Sequence, residues 1–97
     1  MSDDEGRQIG YKILPRGVPV HSSDGVRVGA VDRVLDNARE HIFDGIIIAT
    51  PGGRRFVDAP EVARITDKRV TLTIDADAAK ALPQPRYGLS WWRRLSR

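Results

Sequence analysis

The two histidines are the side chains of this sequence best suited to acid-base or metal chemistry. His21 lies near Asp24 in the sequence, and His41 lies near Glu40 and Asp44. A zinc site needs three or four converging ligands, and a general base needs a second side chain that orients it. No recognised ligand spacing surrounds either histidine. The sequence therefore favours histidines in surface loops, and we expect no metal, no cofactor and no catalytic residue.

The acidic residues and the glycine-rich turn add no catalytic motif. Asp36, Glu40 and Asp44 are four residues apart, which would align them on a helix, but the runs on either side predict strands. The calcium-loop and serine-nucleophile patterns are absent. The turn at residues 51–53 lacks the following helix and Lys-Ser/Thr pair of a phosphate-binding loop. We therefore predict a protein that is not an enzyme and has no small-molecule substrate.

The clearest chemical feature is the C-terminal segment "RYGLSWWRRLSR", residues 86–97. It holds four of the 16 Lys and Arg residues and no acid, whereas residues 1–85 hold the other 12 and all 13 Asp and Glu residues. Coiled as a helix, residues 88–97 would carry an apolar stripe flanked by arginines, but so short a helix needs a surface to fold against. Six residues form the candidate contact site: Leu89, Trp91, Trp92, Arg93, Arg94 and Leu95.

Three kinds of surface are open to this tail. It can pack on its own domain or on a partner subunit, where each Trp buries a large apolar area. It can lie at an anionic membrane surface, where Trp prefers the headgroup level and each Arg adds about 1 kcal/mol of attraction. It can also meet another protein or an RNA, with Trp stacked and Arg on phosphate.

A second group of cations lies within the body of the chain. These residues would form a basic patch only if their strands were neighbours, and acids at Asp58, Glu61 and Asp67 are interleaved with them. We therefore expect a solvated face of mixed charge. The cations are Arg54, Arg55, Arg64, Lys68 and Arg69.

Composition sets the expected compartment. Cysteine is absent, which excludes disulfides and thiolate metal sites. The longest strongly apolar run, residues 46–49, is far shorter than the roughly 20 residues of a membrane-spanning helix. The acidic start does not resemble a secretory signal. We expect a cytoplasmic protein that contacts, at most, the inner face of the membrane.

The elements that would carry these residues read as short strands between turns. Asp24-Gly25, residues 51–53 and residues 67–69 are turn signals. The run "VTLTI" alternates apolar and polar residues, as a strand with one buried face does. The run "IFDGIIIAT" is apolar on both parities, which predicts a central strand bent at Gly45. Pro19 predicts an edge position for the first strand.

The order of these elements predicts one small all-β domain. Asp75 is placed to cap a short C-terminal helix that ends at residue 80 or 81. We predict a closed or partly open β-barrel of five to six short antiparallel strands followed by this helix. The expected organisation is a flexible acidic N-terminus over residues 1–10, the domain over residues 11–82 and a Pro-bounded tail over residues 83–97.

The motifs, taken in order, resemble those of the PRC-barrel family. The matching stretches are "GVPVHSSDGVRVGAVDRVLD", "IFDGIIIAT" and "RRFVDAPEVARITDKRVTLTI", over roughly residues 14–82. Pro19 and the charged loop at residues 37–41 depart from the family pattern. The resemblance implies a non-catalytic interaction or adaptor module that self-associates, with an unknown protein partner and a homodimer as the expected assembly. It also leaves open an RNA- or ribosome-associated assembly factor.

Overall fold

The structure is a computed structural model that describes residues 6–37 and 39–85. Its strands are named β1 to β6 and its single α-helix α1, and two 3-10 turns accompany them. In chain order the elements are a 3-10 turn at Tyr11–Ile13, β1 Pro19–His21, β2 Arg27–Asn37, β3 Ile42–Thr50, β4 Gly53–Asp58, a 3-10 turn at Ala59–Glu61, β5 Val62–Ile65, β6 Val70–Leu72 and α1 Ala76–Lys80.

The six strands form one mixed sheet in the order β4-β3-β2-β1-β6-β5. The mainly β composition and the short C-terminal helix confirm the coarse prediction. The prediction of purely antiparallel strands was wrong, because β1 and β6 pair in parallel, with Val20 opposite Val70. After strands β2 to β5, the chain returns to β1, and β6 runs beside it in the same direction. The hydrogen-bonded ladder is open, with β4 and β5 at its ends.

The predicted edge position of β1 was also wrong. The strand lies between β2 and β6 in the sheet. Pro19 is its first residue and opposes Ala30 of β2, whereas the parallel pairing with β6 begins only at Val20. A proline at the first position of a strand lacks an amide donor where pairing with the second neighbouring strand has not yet begun. Pro19 is therefore compatible with an interior strand.

Strand β3 occupies the interior place that its apolar run predicted. Ile46 and Ile48 belong to the main core, whereas Ile47 packs with Leu35 and Phe56 in a second, smaller cluster. Successive side chains of a strand point to opposite faces, so a strand covered on both faces needs apolar residues on both parities. Each fully buried Ile contributes about 1.5–3 kcal/mol relative to an exposed one.

The predicted bend at Gly45 is confirmed as a bulge in β3. Leu35 of β2 opposes Gly45 and the next residue, Asp36, opposes Phe43, so Asp44 has no counterpart in β2. Gly45 has a φ of 151°, and a Cβ there would collide with the carbonyl oxygen of Val57. Only glycine fits both the conformation and the space. We call residues 43–45 the bulge.

Both ends of the ladder are covered by terminal segments of the chain. The amide of Ile9 donates to the Ile65 carbonyl at 3.1 Å, and the amide of Asp67 donates to the Arg7 carbonyl at 2.9 Å. At the other end, the amide of Phe56 in β4 donates to the carbonyl of Pro83 at 2.8 Å. These contacts occupy backbone groups that an exposed edge would offer to another chain.

Candidate functional site

An apolar groove of about 420 Å³ lies between the start of β2, the β3–β4 turn and α1. Its floor includes Val26, Val28, Ala76 and Ala79. The helix contributes small side chains to one face, because residues three apart on a helix are neighbours. Alanines there leave open space between the helix and the sheet, and this space is the groove.

Three cations from three different elements stand around this floor: Arg27 of β2, Arg55 of β4 and Lys80 of α1. None of the described residues that line the groove is acidic. The Arg55 guanidinium donates to the Arg54 carbonyl at 2.9 Å, which holds its side chain over the β3–β4 turn. The groove therefore combines an apolar floor with a cationic rim.

The helix that walls the groove is tied to the preceding part of the sheet. Ser22, in the turn between β1 and β2, donates its hydroxyl proton to the Asp24 carboxylate and accepts the amide of Val26 at 3.1 Å. The same carboxylate accepts the amide of Ala76 at 3.2 Å. The hydrogen bond from Ser22, followed by backbone hydrogen bonds, lowers the pKa of Asp24. We call residues 22–26 the capped turn.

Helix α1 begins as the sequence predicted. The Asp75 carboxylate accepts the amide of Ala78 at 2.8 Å. This cap satisfies a donor that the first turn of a helix leaves unpaired. The helix ends at Lys80, within the predicted range.

A second concave surface, of about 500 Å³, lies beside β2 and carries paired charges. Asp32 contacts Arg16 at 2.8 Å and Arg54 at 3.3 Å. At its border, Tyr11 stacks on Phe43 with ring centroids 4.8 Å apart. Because Asp32 already pairs with two arginines, its carboxylate is less available to a ligand.

The bulge carries a buried carboxylate. Asp44 is 9% exposed, and its Oδ2 has no hydrogen-bond partner among the described residues. Burial raises the pKa of Asp44, and the nearby charges of Asp36, Asp58 and Glu40 raise it further. Across the part of the chain that the structure describes, no three His, Asp or Glu side chains gather in an arrangement that holds a metal ion.

The two histidines lie apart. His21 opposes Arg27 at the start of β2, whereas His41 precedes β3 beside Asn37 at the other end. Eleven residues of β2 span about 30 Å between these points. The Nδ1 atom of His21 is buried without a hydrogen-bond partner in the described structure. The Nδ1 atom of His41 accepts a hydrogen bond from the ammonium group of Lys12 at 3.0 Å. The pair therefore forms no common site.

The five cations of the body would form a basic patch only if their strands were neighbours. They are divided between strands that do not pair. Arg54 and Arg55 lie on β4 and Arg64 lies on β5, at opposite ends of the hydrogen-bonded order. The contact of Arg54 with Asp32 fits the expected face of mixed charge. Strands β4 and β5 are therefore not the hydrogen-bonded neighbours that the patch required.

The six tail residues lie outside the described residues. The last described segment, residues 82–85, has Leu82 in the core and Pro83 on β4. The groove was missed by the sequence reasoning. A partial signal existed in the spacing of Ala76, Ala79 and Lys80 on one helical face, but nothing local indicated which strands would face that side.

The fold and site define a mainly β domain with six strands in one mixed sheet, one short helix and a cationic groove. No protein-family model matches the chain, and no curated protein matches its sequence. Within residues 6–37 and 39–85, no helix has the length and hydropathy needed to cross a bilayer.

Proposed function

We propose that this protein is a non-catalytic, PRC-barrel-like interaction module whose Trp/Arg tail makes a second contact with an anionic membrane surface. The observation that carries the proposal is the anchoring of the chain just before residues 86–97. Leu82 is buried in the core, and the Pro83 carbonyl accepts the amide of Phe56 in β4 at 2.8 Å. The tail thus starts from a fixed point on a folded domain, as a tether requires.

The packing of the sheet supports a partly open barrel. Val57 of β4 and Val70 of β6 belong to one core cluster, and Ile65 of β5 packs against it. In a flat sheet the outer strands β4 and β5 would be five strand spacings, or about 24 Å, apart. Both valines are fully buried, and the only α-helix of the described residues is five residues long and too short to cover a flat six-stranded sheet. We therefore infer strong curvature, which is the property that relates the sheet to the PRC-barrel architecture.

The membrane contact is favoured by the composition of the tail. Adjacent Trp91 and Trp92 suit the headgroup region, and the four arginines of residues 86–97 have no acid among them. A single segment of this kind gives weak and reversible binding. The protein would therefore exchange between the surface and solution while its domain binds a protein partner.

Co-sedimentation with vesicles tests this proposal. We expect the full chain to bind vesicles rich in anionic lipid and to leave neutral vesicles unbound. Replacing Arg93 and Arg94 by Glu should abolish binding, whereas replacing Arg33 and Arg39 by Glu, a matched double change at exposed positions of the domain, should leave most of it. Equal binding by the tail and control variants would overturn the membrane contact.

A parallel assay with RNA separates the alternative. Salt-dependent RNA binding that disappears in the variant with Glu at positions 93 and 94, without vesicle binding, would favour the RNA- or ribosome-associated factor. Vesicle binding that the same variant loses, without RNA binding by the wild-type chain, would support the membrane contact.

The homodimer stays a prediction, and β1 offers it no free strand edge. Strand β1 is paired on both sides, and the end strands β4 and β5 already receive contacts from terminal segments. A dimer would therefore use side chains of a sheet face more than unpaired backbone. Light scattering at high micromolar concentration measures the assembly, and a monomer there would contradict self-association.

A further inference from the structure

We propose that the groove between β2, the β3–β4 turn and α1 binds a small amphiphile with a carboxylate head and an aliphatic body, such as a medium-chain fatty acid. This is a ligand site of the domain itself and does not depend on the tail. The proposal rests on the apolar floor, the sign of the rim charges and the volume of the groove.

The floor presents apolar surface that folding has left in contact with water. Val26 is 48% exposed, although the capped turn holds its backbone in place. Val28 and Ala76 are partly exposed beside it, and Ala79 closes the bottom. Covering such surface is favourable by about 25 cal/mol for each Å² removed from water, so an aliphatic chain gains free energy there.

The rim selects an anion. The acids of the turn and the start of the helix do not line the groove: the Asp24 carboxylate is held by Ser22 and by the amide of Ala76, and the Asp75 carboxylate caps the helix. A third acid, Asp77, lies 4.0 Å from Lys80 on the exposed side of the helix. The charged groups that line the groove itself are therefore cationic, which suits a carboxylate.

The size of the groove favours a small ligand over a macromolecule. Its volume of about 420 Å³ lies within the 300–1,000 Å³ that small-molecule sites generally occupy. A stable protein partner needs roughly 800 Å² of surface on each side, far more than this floor offers. The cationic tail of residues 86–97 is a poor occupant, because like charges would meet at the rim.

The test is a titration of the ¹⁵N-labelled full chain with decanoate, followed by amide chemical shifts. We expect saturable shifts at Val26, Val28, Gly52 and Lys80, with a dissociation constant below about 1 mM. Decyltrimethylammonium has the same chain length with the opposite charge, so it should bind at least about fivefold more weakly. Equal binding of the two amphiphiles, shifts elsewhere in the protein, or no saturation with decanoate would overturn the proposal.

Two matched helix variants locate the site. Ala76→Trp should fill the groove and abolish decanoate binding, whereas Ala78→Trp, on an exposed part of the same helix, should retain it. Equal loss in both variants would contradict the assignment. Should Ala76→Trp unfold the domain, Arg27→Gln provides the independent measurement, and we expect it to weaken decanoate binding about fivefold. An unchanged affinity in Arg27→Gln would overturn the role of the rim.

Discussion

The capped turn and the bulge each place a polar side chain in the protein interior, but they satisfy it differently. Ser22 is 1% exposed and makes hydrogen bonds with Asp24 and with the backbone of Val26. Asp44 is 9% exposed, and its Oδ2 has no partner in the described structure. The difference teaches that burial of a polar group stabilises a fold only where hydrogen bonds replace those lost to water.

The two regions also differ in their backbone: the capped turn supports neighbouring elements, whereas the bulge holds a strained conformation. The capped turn joins two strands to the N-terminus of α1 and thereby shapes the wall of the groove. The bulge bends β3 so that it follows the core, and it needs Gly45 in a conformation that other residues rarely adopt. We therefore expect replacement of the buried polar side chain to lower stability in the capped turn and to raise it in the bulge.

The largest effect is expected at the bulge. Gly45→Ala should lower the free energy of unfolding by about 3 kcal/mol, because it combines an unfavourable positive φ with a collision at the Val57 carbonyl. Gly17→Ala is the matched control, since Gly17 also has a positive φ of 91° but has open space where the Cβ would lie. It should cost only about 1 kcal/mol. Urea denaturation measures both, and equal losses would refute the steric part of the argument.

The next effect tests the capped turn. Ser22→Ala should lower the free energy of unfolding by about 2 kcal/mol, because it removes a buried hydroxyl and leaves the amide of Val26 without its acceptor. The pKa of Asp24 should rise in this variant, because the hydrogen bond from Ser22 is the main cause of its lowering. Ser23→Ala is the exposed control. Denaturation and carboxyl NMR titration measure the two quantities, and an unchanged Asp24 titration would contradict the assigned cause.

A smaller effect of opposite sign is expected at Asp44. Asp44→Asn should raise the free energy of unfolding by about 1 kcal/mol at neutral pH, because it removes a buried charge from a group of acids. The raised pKa means that the native state holds its proton to higher pH than the unfolded chain, so wild-type stability falls as pH rises between the two pKa values. The gain should therefore disappear in acid.

Denaturation curves over a pH series measure this difference, with Asp77→Asn as the exposed control. A gain at Asp44 that stayed constant down to strongly acidic pH would show that packing, rather than charge, is responsible. A loss of stability at neutral pH would show that the carboxylate has a stabilising partner.

The smallest effect concerns His21. Burial lowers its pKa, and the charges of Arg69 and Arg27 lower it further. The unfolded chain therefore takes up this proton at a higher pH than the native state does, and wild-type stability should fall by a few tenths of a kcal/mol on acidification through that window. His21→Gln should flatten this part of the stability profile. An unchanged profile would indicate that His21 makes no contribution to it.

Local signals predicted the elements whose structure depends on near neighbours. The cap of α1 was predictable because Asp75 contacts Ala78, three residues ahead. The turn at residues 67–69 was predictable for a similar reason, since Thr66 accepts the amides of Lys68 and Arg69. In both cases, the residues that form the motif lie within three positions of each other in the sequence.

The interior place of β1 was not predictable from Pro19 alone. The rule that proline favours an edge describes a missing donor, but it does not state which strands pair nearby. In this protein, Val20 opposes both Gly29 and Val70, and the latter is 50 residues away along the chain. The position of the strand therefore depends on a pairing that no local pattern reveals.

The sequence by itself determined the strand-rich composition, the turns at Asp24-Gly25 and residues 67–69, the bend at Gly45 and the capped helix. Each depends on backbone preferences or hydrogen bonds within a few residues. Tertiary structure alone decided the parallel pair β1–β6, the burial of Asp44 and the groove beside α1. These features arise where distant segments pack together, and long-range packing decides which side chains lose water and which spaces stay open.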